Sequence, residues 1–265
     1  IGANAFNGAV NQSHTNTGVG FNVVKSLTTG DNNNAFGAYS LDALTTGSSN
    51  VAIGNGTASV MTTTSDCTIV GVEAGAAMSA GQTTTNGTVA VGRQALTALT
   101  SGASNLAIGY QAMLTHTTGD RNIAIGYGAM DDTDAGSTSL GSSDNIFIGA
   151  ESGGGTWADA ASNGNVGIGS YSMDSALDGA LYNTAVGAYS ASAITTADNV
   201  VAIGNSAAYT LTTASNNIAI GTNAMKTHLT GERNMAIGTN AMQDTDAGSN
   251  ANSSYDNIFI GHASG

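Results

Sequence analysis

A glycine closes a short apolar motif of the type Asn-x-Ala-Ile-Gly again and again along this chain. These glycines stand at positions 2, 20, 37, 54, 71, 92, 109, 126, 149, 169, 187, 204, 221, 238 and 261. Successive positions differ by 17 in eight cases of fourteen, and by 18, 20, 21 or 23 in the others. A short, nearly exact period that runs end to end excludes most globular folds. It predicts a solenoid, in which one small unit coils and stacks on the next. The fold class expected is therefore all-β: a parallel β-solenoid with rungs of about 17 residues, positions 1–265 forming one elongated domain.

The segment Asn122-Ile123-Ala124-Ile125-Gly126 serves as the type rung. Apolar residues alternate there with period two, which reads as a strand. The position before the glycine holds Ile, Val or Phe from Val19 to Ile260 and is the expected inner column of the coil. The alternate position is small, as in Ala35, Ala52, Ala107 and Ala124, and is expected to face neighbouring copies of the chain. A second short strand is expected after the glycine, ending in pairs such as Ala112-Met113 and Ala129-Met130. The glycine would bend the chain between the two strands. An asparagine four places before the glycine recurs at Asn105, Asn122, Asn145, Asn217, Asn234 and Asn257, among others. Stacked amides of this kind can bond up and down a column. Fourteen rung intervals of about 4.8 Å predict a rod of roughly 70 Å.

A longer period lies above the short one. Gly37 to Gly149 and Gly149 to Gly261 are equal intervals, which gives superrepeats of approximately 38–149 and 150–261. The long rungs place their extra length between the second expected strand and the next Asn: 79–87, 131–144, 153–164 and 243–256. Insertions on one edge of a solenoid often form a binding surface. Trp157 and Tyr255 lie in these inserts, as do Thr83, Thr84 and Thr85, and all five are candidate ligand contacts. Asp132, Asp134 and Asp144, with their counterparts Asp244, Asp246 and Asp256, could offer oxygen ligands to calcium. The spacing of an EF-hand is missing, so turn formation is the competing reading. No other cofactor is expected.

Composition narrows the function. The chain carries 18 acidic and 5 basic residues, a net charge of −13. Phosphate backbones need clustered Lys and Arg, so nucleic acid is not an expected partner. No apolar run is long enough to cross a bilayer, so direct membrane insertion is not expected either. Cys67 is the only cysteine and takes an Asn slot, as a small buried residue would. His116 and His228 hold equivalent positions in the two superrepeats, too distant from each other to share a metal. Carboxylates do not recur on one strand face, and no Ser-His-Asp set converges, so no enzyme is expected. Thr-rich turns raise ice binding as a minor alternative. The chain opens and closes inside a motif, as expected of a piece of a longer polypeptide.

The runs Asn105 to Met113 (NLAIGYQAM) and Asn122 to Met130 (NIAIGYGAM) resemble the repeat region of phage tail fibres. They also resemble the heads of trimeric autotransporter adhesins, and the likeness extends along the whole chain. It implies a left-handed parallel β-roll that forms homotrimers, in an extracellular appendage on a virion or a cell. The function it implies is a non-catalytic structural and adhesive fibre segment mediating surface attachment, with an adhesin head as the alternative. Its partners would be further copies of itself and a cell-surface receptor or glycan.

Overall fold

The computed structural model of the chain describes residues 2–8, 13–78, 85–133, 141–157, 160–243 and 255–265. Contacts divide the chain into two units, Ile1–Gly128 and Ala129–Gly265. The first unit holds seven short strands: β1 (Thr17–Val19), β2 (Asn34–Phe36), β3 (Val51–Ile53), β4 (Thr68–Val70), β5 (Val89–Val91), β6 (Leu106–Ile108) and β7 (Ile123–Ile125). The second holds β8 (Ile146–Ile148), β9 (Val166–Ile168), β10 (Thr184–Val186), β11 (Val201–Ile203), β12 (Ile218–Ile220), β13 (Met235–Ile237) and β14 (Ile258–Ile260). Each strand pairs with the next in its unit, parallel and in register, so that Ala107 lies beside Ala124 and Ala202 beside Ala219. No helix occurs among the described residues. Each unit is thus a parallel β-solenoid with the expected rung.

The two faces of the strand are the reverse of the expectation. The middle residue points into the coil, and Ala35, Ala52, Ala107, Ala124, Ala202 and Ala219 are fully buried. The residue before the glycine points outward, with Val19, Phe36, Ile53, Ile108 and Ile203 each about 40% exposed. The coil is too narrow for large side chains on both walls. Bulk comes from the wall opposite the strand, where Leu27, Leu44, Met61 and Leu99 are buried, and from Leu41, Leu96 and Met113. Alanine is what the strand side has room for. Phe147 obeys the same limit. It fills the middle of β8, and a Cβ on either Gly167 in β9 or Gly153 would collide with its ring.

Among the described residues the second strand is also absent. Residues two and four places after the motif glycine have left-handed backbones, as in Asn22 (φ 51°), Val24 (φ 47°), Tyr39 (φ 59°) and Leu41 (φ 52°). Such alternation curls the chain as a run of turns and cannot extend it. It still hydrogen-bonds between rungs, because the N–H direction alternates. The Tyr39 N–H donates to the Phe21 carbonyl behind it (2.9 Å), and the Leu41 N–H to the Thr57 carbonyl ahead (3.1 Å). Left-handed conformations cost non-glycine residues about 1–2 kcal/mol each, and these bonds together with inward burial at positions 24 and 41 offset that cost.

The asparagines form a buried ladder. Asn183 Nδ2 donates to Asn165 Oδ1 (3.0 Å) and to the Ala197 carbonyl (2.7 Å). Asn165 Oδ1 also accepts the Asn183 backbone N–H (3.0 Å). Asn33 and Asn50 repeat the pattern in the first unit. Both amide hydrogens and both acceptor positions of such an Asn are used, which is what burial of an amide requires. Cys67 interrupts this ladder; its thiol donates to the Thr85 carbonyl at 3.3 Å.

The motif glycine is demanded twice. Gly204 has φ +133°, a backbone region nearly closed to other residues, and a Cβ there would sit 2.7 Å from the Gly221 carbonyl oxygen. Gly56 differs: its φ is +65°, and a Cβ would meet only Glu73 Cγ, at 3.9 Å. Gly204→Ala should therefore cost more than about 3 kcal/mol, while Gly56→Ala should stay within about 1 kcal/mol. Urea titration of the two variants checks the contrast.

Candidate functional site

Two outer surfaces of the coil carry features that its interior does not require. The first is the outward strand face. Among the described residues, fourteen strands present two outward residues each, or 28 positions, and 24 of them are apolar. The exceptions are Thr17, Asn34, Thr68 and Thr184, and none of the 28 is charged. A strand face in water normally carries polar residues. Here each unit instead shows two stacked apolar columns, with eleven apolar side chains in the first unit and thirteen in the second.

The second surface lies just past the motif glycine, where exposed aromatics stack from rung to rung. Tyr110 and Tyr127 are parallel at 5.5 Å, with Arg93 over the Tyr110 ring. Tyr171 and Tyr189 are parallel at 5.1 Å, and Tyr209 meets Tyr189 edge-on. Phe21 and Tyr39 form an edge contact at 5.4 Å. Beside Tyr39 lies a concavity of about 450 Å³, lined among others by Asp42, Asn55, Gly56, Ser59 and Glu73. A second, of about 410 Å³, is lined by Tyr189, Ser206, Tyr209 and Lys226. Burial raises the Asp42 carboxyl above its ordinary range, against the opposing pull of Lys25.

The candidate residues read from the sequence fall elsewhere. Trp157 is fully buried, its ring edge-on to Phe147 at 5.7 Å, so it is a core residue and not a surface contact. Thr85 is buried as well. Thr83 and Thr84 lie outside the described residues, as do Asp134, Asp244 and Asp246. Tyr255 is exposed, with the Arg233 guanidinium 5.5 Å from its ring centre. That guanidinium also pairs with both oxygens of Asp256, at 2.7 and 3.1 Å. The Arg233 hydrogen bond holds the Asp256 carboxyl below its ordinary range. The Asp256 carboxylate is thus paired with an arginine at the surface. Asp132 Oδ2 accepts the Thr156 hydroxyl at 2.5 Å, and Asp144 sits in a left-handed turn before Asn145. Among the described residues no three His, Cys, Asp or Glu side chains group as a metal site.

Asn105, Asn122, Asn145, Asn217, Asn234 and Asn257 all stand in the ladder described above. His116 and His228 are buried against it, each with Nε2 3.3 Å from the neighbouring Asn122 or Asn234 amide. Burial pushes the Cys67 thiol up to about 11, which keeps it protonated and unreactive. The aromatic column and the Gly56 concavity were not singled out from the sequence. Their signal is positional: Tyr recurs one or two places after the motif glycine at 39, 110, 127, 171 and 189.

No protein-family model matches the chain, and no curated protein matches it.

Two measurements check this placement. Trp157 is the only tryptophan, so native fluorescence should be blue-shifted and shielded from iodide; free quenching would return it to the surface. Burial, reinforced by Glu151 and Asp132, raises the Asp131 carboxyl from 3.8 to about 6. The folded chain then holds that proton more tightly than the unfolded chain. Its contribution to stability is present at low pH and is lost as pH rises from 3.8 to about 6. Asp131→Asn should flatten the fall in melting temperature across that window.

Proposed function

We propose that the chain is a non-catalytic, self-associating fibre segment of an extracellular appendage that mediates surface attachment, a phage tail fibre or a similar filament. The observation that carries this reading is the uncharged, apolar outward face of the strands. Covering the remaining exposure of one such Ile or Val yields about 1 kcal/mol. Eleven or thirteen per unit give roughly 10 kcal/mol, within the ~4–15 kcal/mol that association costs in lost freedom. Both units together exceed that cost. The occupant favoured is another copy of the chain, because identical columns stacked at one rung spacing match each other along their whole length. The resemblance to fibre and adhesin repeats favours three copies around an axis.

This arrangement replaces the alanine-face contact expected from the sequence, since the alanines are inside the coil. The threonines of the turns support a structural role as well. The Thr28, Thr45 and Thr100 hydroxyls donate to the carbonyls of Thr45, Thr62 and Thr117 on the next rung at 2.9, 2.9 and 3.0 Å. Hydroxyls engaged in stacking rungs are poorly placed to order water, so ice binding is not favoured.

Light scattering of the full chain tests the reading. The expected mass is three times that of one chain, and the double variant Ile53→Lys with Ile203→Lys should fall to one copy with its circular dichroism unchanged. A wild-type chain that is monomeric at micromolar concentration would overturn it.

A further inference from the structure

The column two places after the motif glycine contains Asn22, Tyr39, Gly56, Glu73, Gln94 and Gln111 in the first unit. All six share one left-handed conformation, with φ between 51° and 65°. Their side chains therefore stack on the outside of the coil like teeth. Gln111 Nε2 donates to Gln94 Oε1 (3.0 Å), and Gln94 Nε2 donates to Glu73 Oε2 (2.9 Å). The series then breaks at Gly56; the column's other glycine, Gly128, is the last residue of the unit. Nothing in the fold asks for glycine at 56. Its neighbours show that Tyr, Glu and Gln adopt this backbone, and a Cβ at position 56 would make only an ordinary van der Waals contact, with Glu73 Cγ at 3.9 Å. The missing tooth makes the concavity described above, with Tyr39 on one side and Glu73 on the other.

The second unit carries the same feature. The run GAYS at 37–40 recurs at 187–190, and VAIGN at 51–55 recurs at 201–205. In that register Tyr189 stands for Tyr39 and the small Ser206 for Gly56, and they line the concavity of about 410 Å³. The chain thus twice sets a tyrosine beside a small residue at the same point of the rung. Only the first concavity has acidic walls; the second carries Lys226 instead.

We infer that the notch over Gly56 binds a sugar unit of a surface glycan, with Tyr39 forming an apolar wall for the ring and the carboxylates of Glu73 and Asp42 accepting its hydroxyl hydrogens. The size lies in the range of small-molecule sites. The lining is right for a polyol: one aromatic face, two carboxylates, the Asn55 amide and the Ser59 and Thr97 hydroxyls. Hydroxyls donated to ionised acceptors form the stronger class of hydrogen bond, and an aromatic ring covers the C–H face of a sugar without demanding charge. A phosphate or sulfate is disfavoured by the same two carboxylates. The inference rests on the attachment reading above for its biological setting, and on the notch alone for its geometry.

Calorimetric titration of the full chain with cellohexaose and with a chitosan hexamer tests it, with hexalysine as the competing cationic probe. At least one saccharide should bind, and Gly56→Gln should weaken that binding at least tenfold. Gln at 56 extends the existing ladder toward Glu73, so the melting temperature should not fall. Tyr39→Ala should give the same loss, and decides the matter if Gly56→Gln does not fold. Absence of saccharide binding at millimolar concentration, binding unchanged in these variants, or binding of hexalysine alone would overturn the inference. A chain that assembles but binds neither saccharide retires only the notch; one that binds but stays monomeric retires only the assembly reading.

Discussion

Everything in this molecule depends on how closely one rung can lie on the next at the motif glycine. The Gly204 Cα sits so near the Gly221 carbonyl that a methyl group between them has no room, and at φ +133° hardly any other residue could hold the backbone in any case. That approach sets the register for the whole rung. With the glycines stacked, the strands before them must pair in register, and the Asn four places earlier must lie over its counterpart. The ladder then saturates each amide through its neighbours, so a single slipped rung would leave buried donors and acceptors unmatched. Local conformation and long-range pairing therefore enforce each other.

The same closeness explains the division of labour between the faces. A rung this short encloses little volume. Side chains from the turns, such as Leu44, Met61 and Leu99, are fully buried in it, and at most rungs the strand contributes only a methyl group. The larger β-branched residues are left outside. They are retained there for a reason that the single coil does not supply, since the coil would be as well satisfied by threonine or lysine on that face. The self-association proposed above would supply it. The exceptions in the inner column follow the volume limit closely, with Phe147 tolerated because Gly153 and Gly167 withdraw beside it.

The period, the parallel solenoid, the rung length and the asparagine column were legible in the sequence because each repeats at a fixed offset. The face assignment was not. Period two states that two faces differ, and the rule that larger apolar residues go inside then chose the wrong one. A sharper signal was available in the inner column itself. Where its alanine becomes Phe147, the next rung has Gly167, a compensation expected only of residues packed in a closed space. The second strand was misread because a small residue followed by Met or Leu looks extended. The left-handed conformation of Leu41 or Met113 has no composition mark. Trp157 was assigned to the surface from its place in a long rung, but a ring of that size is more stable buried beside Phe147 than left in water.

The surface features are harder to read for a related reason. A repeat advertises what every rung must have, and function resides in the rungs that depart from it. Gly56 is invisible among 37 glycines until the backbone shows that its position accepts Tyr, Glu or Gln. Only then does its lack of a side chain become unexplained by folding. The same comparison clears the motif glycines, which the fold does require, and Cys67, which the ladder absorbs through the Thr85 carbonyl. A departure that costs the fold nothing and opens a cavity between an aromatic ring and a carboxylate is the kind that binding can preserve, and in this chain it stands on a column distinct from the apolar strand face. The proposed association through the strands and the proposed binding at the turns past the glycine thus call on separate surfaces of the coil.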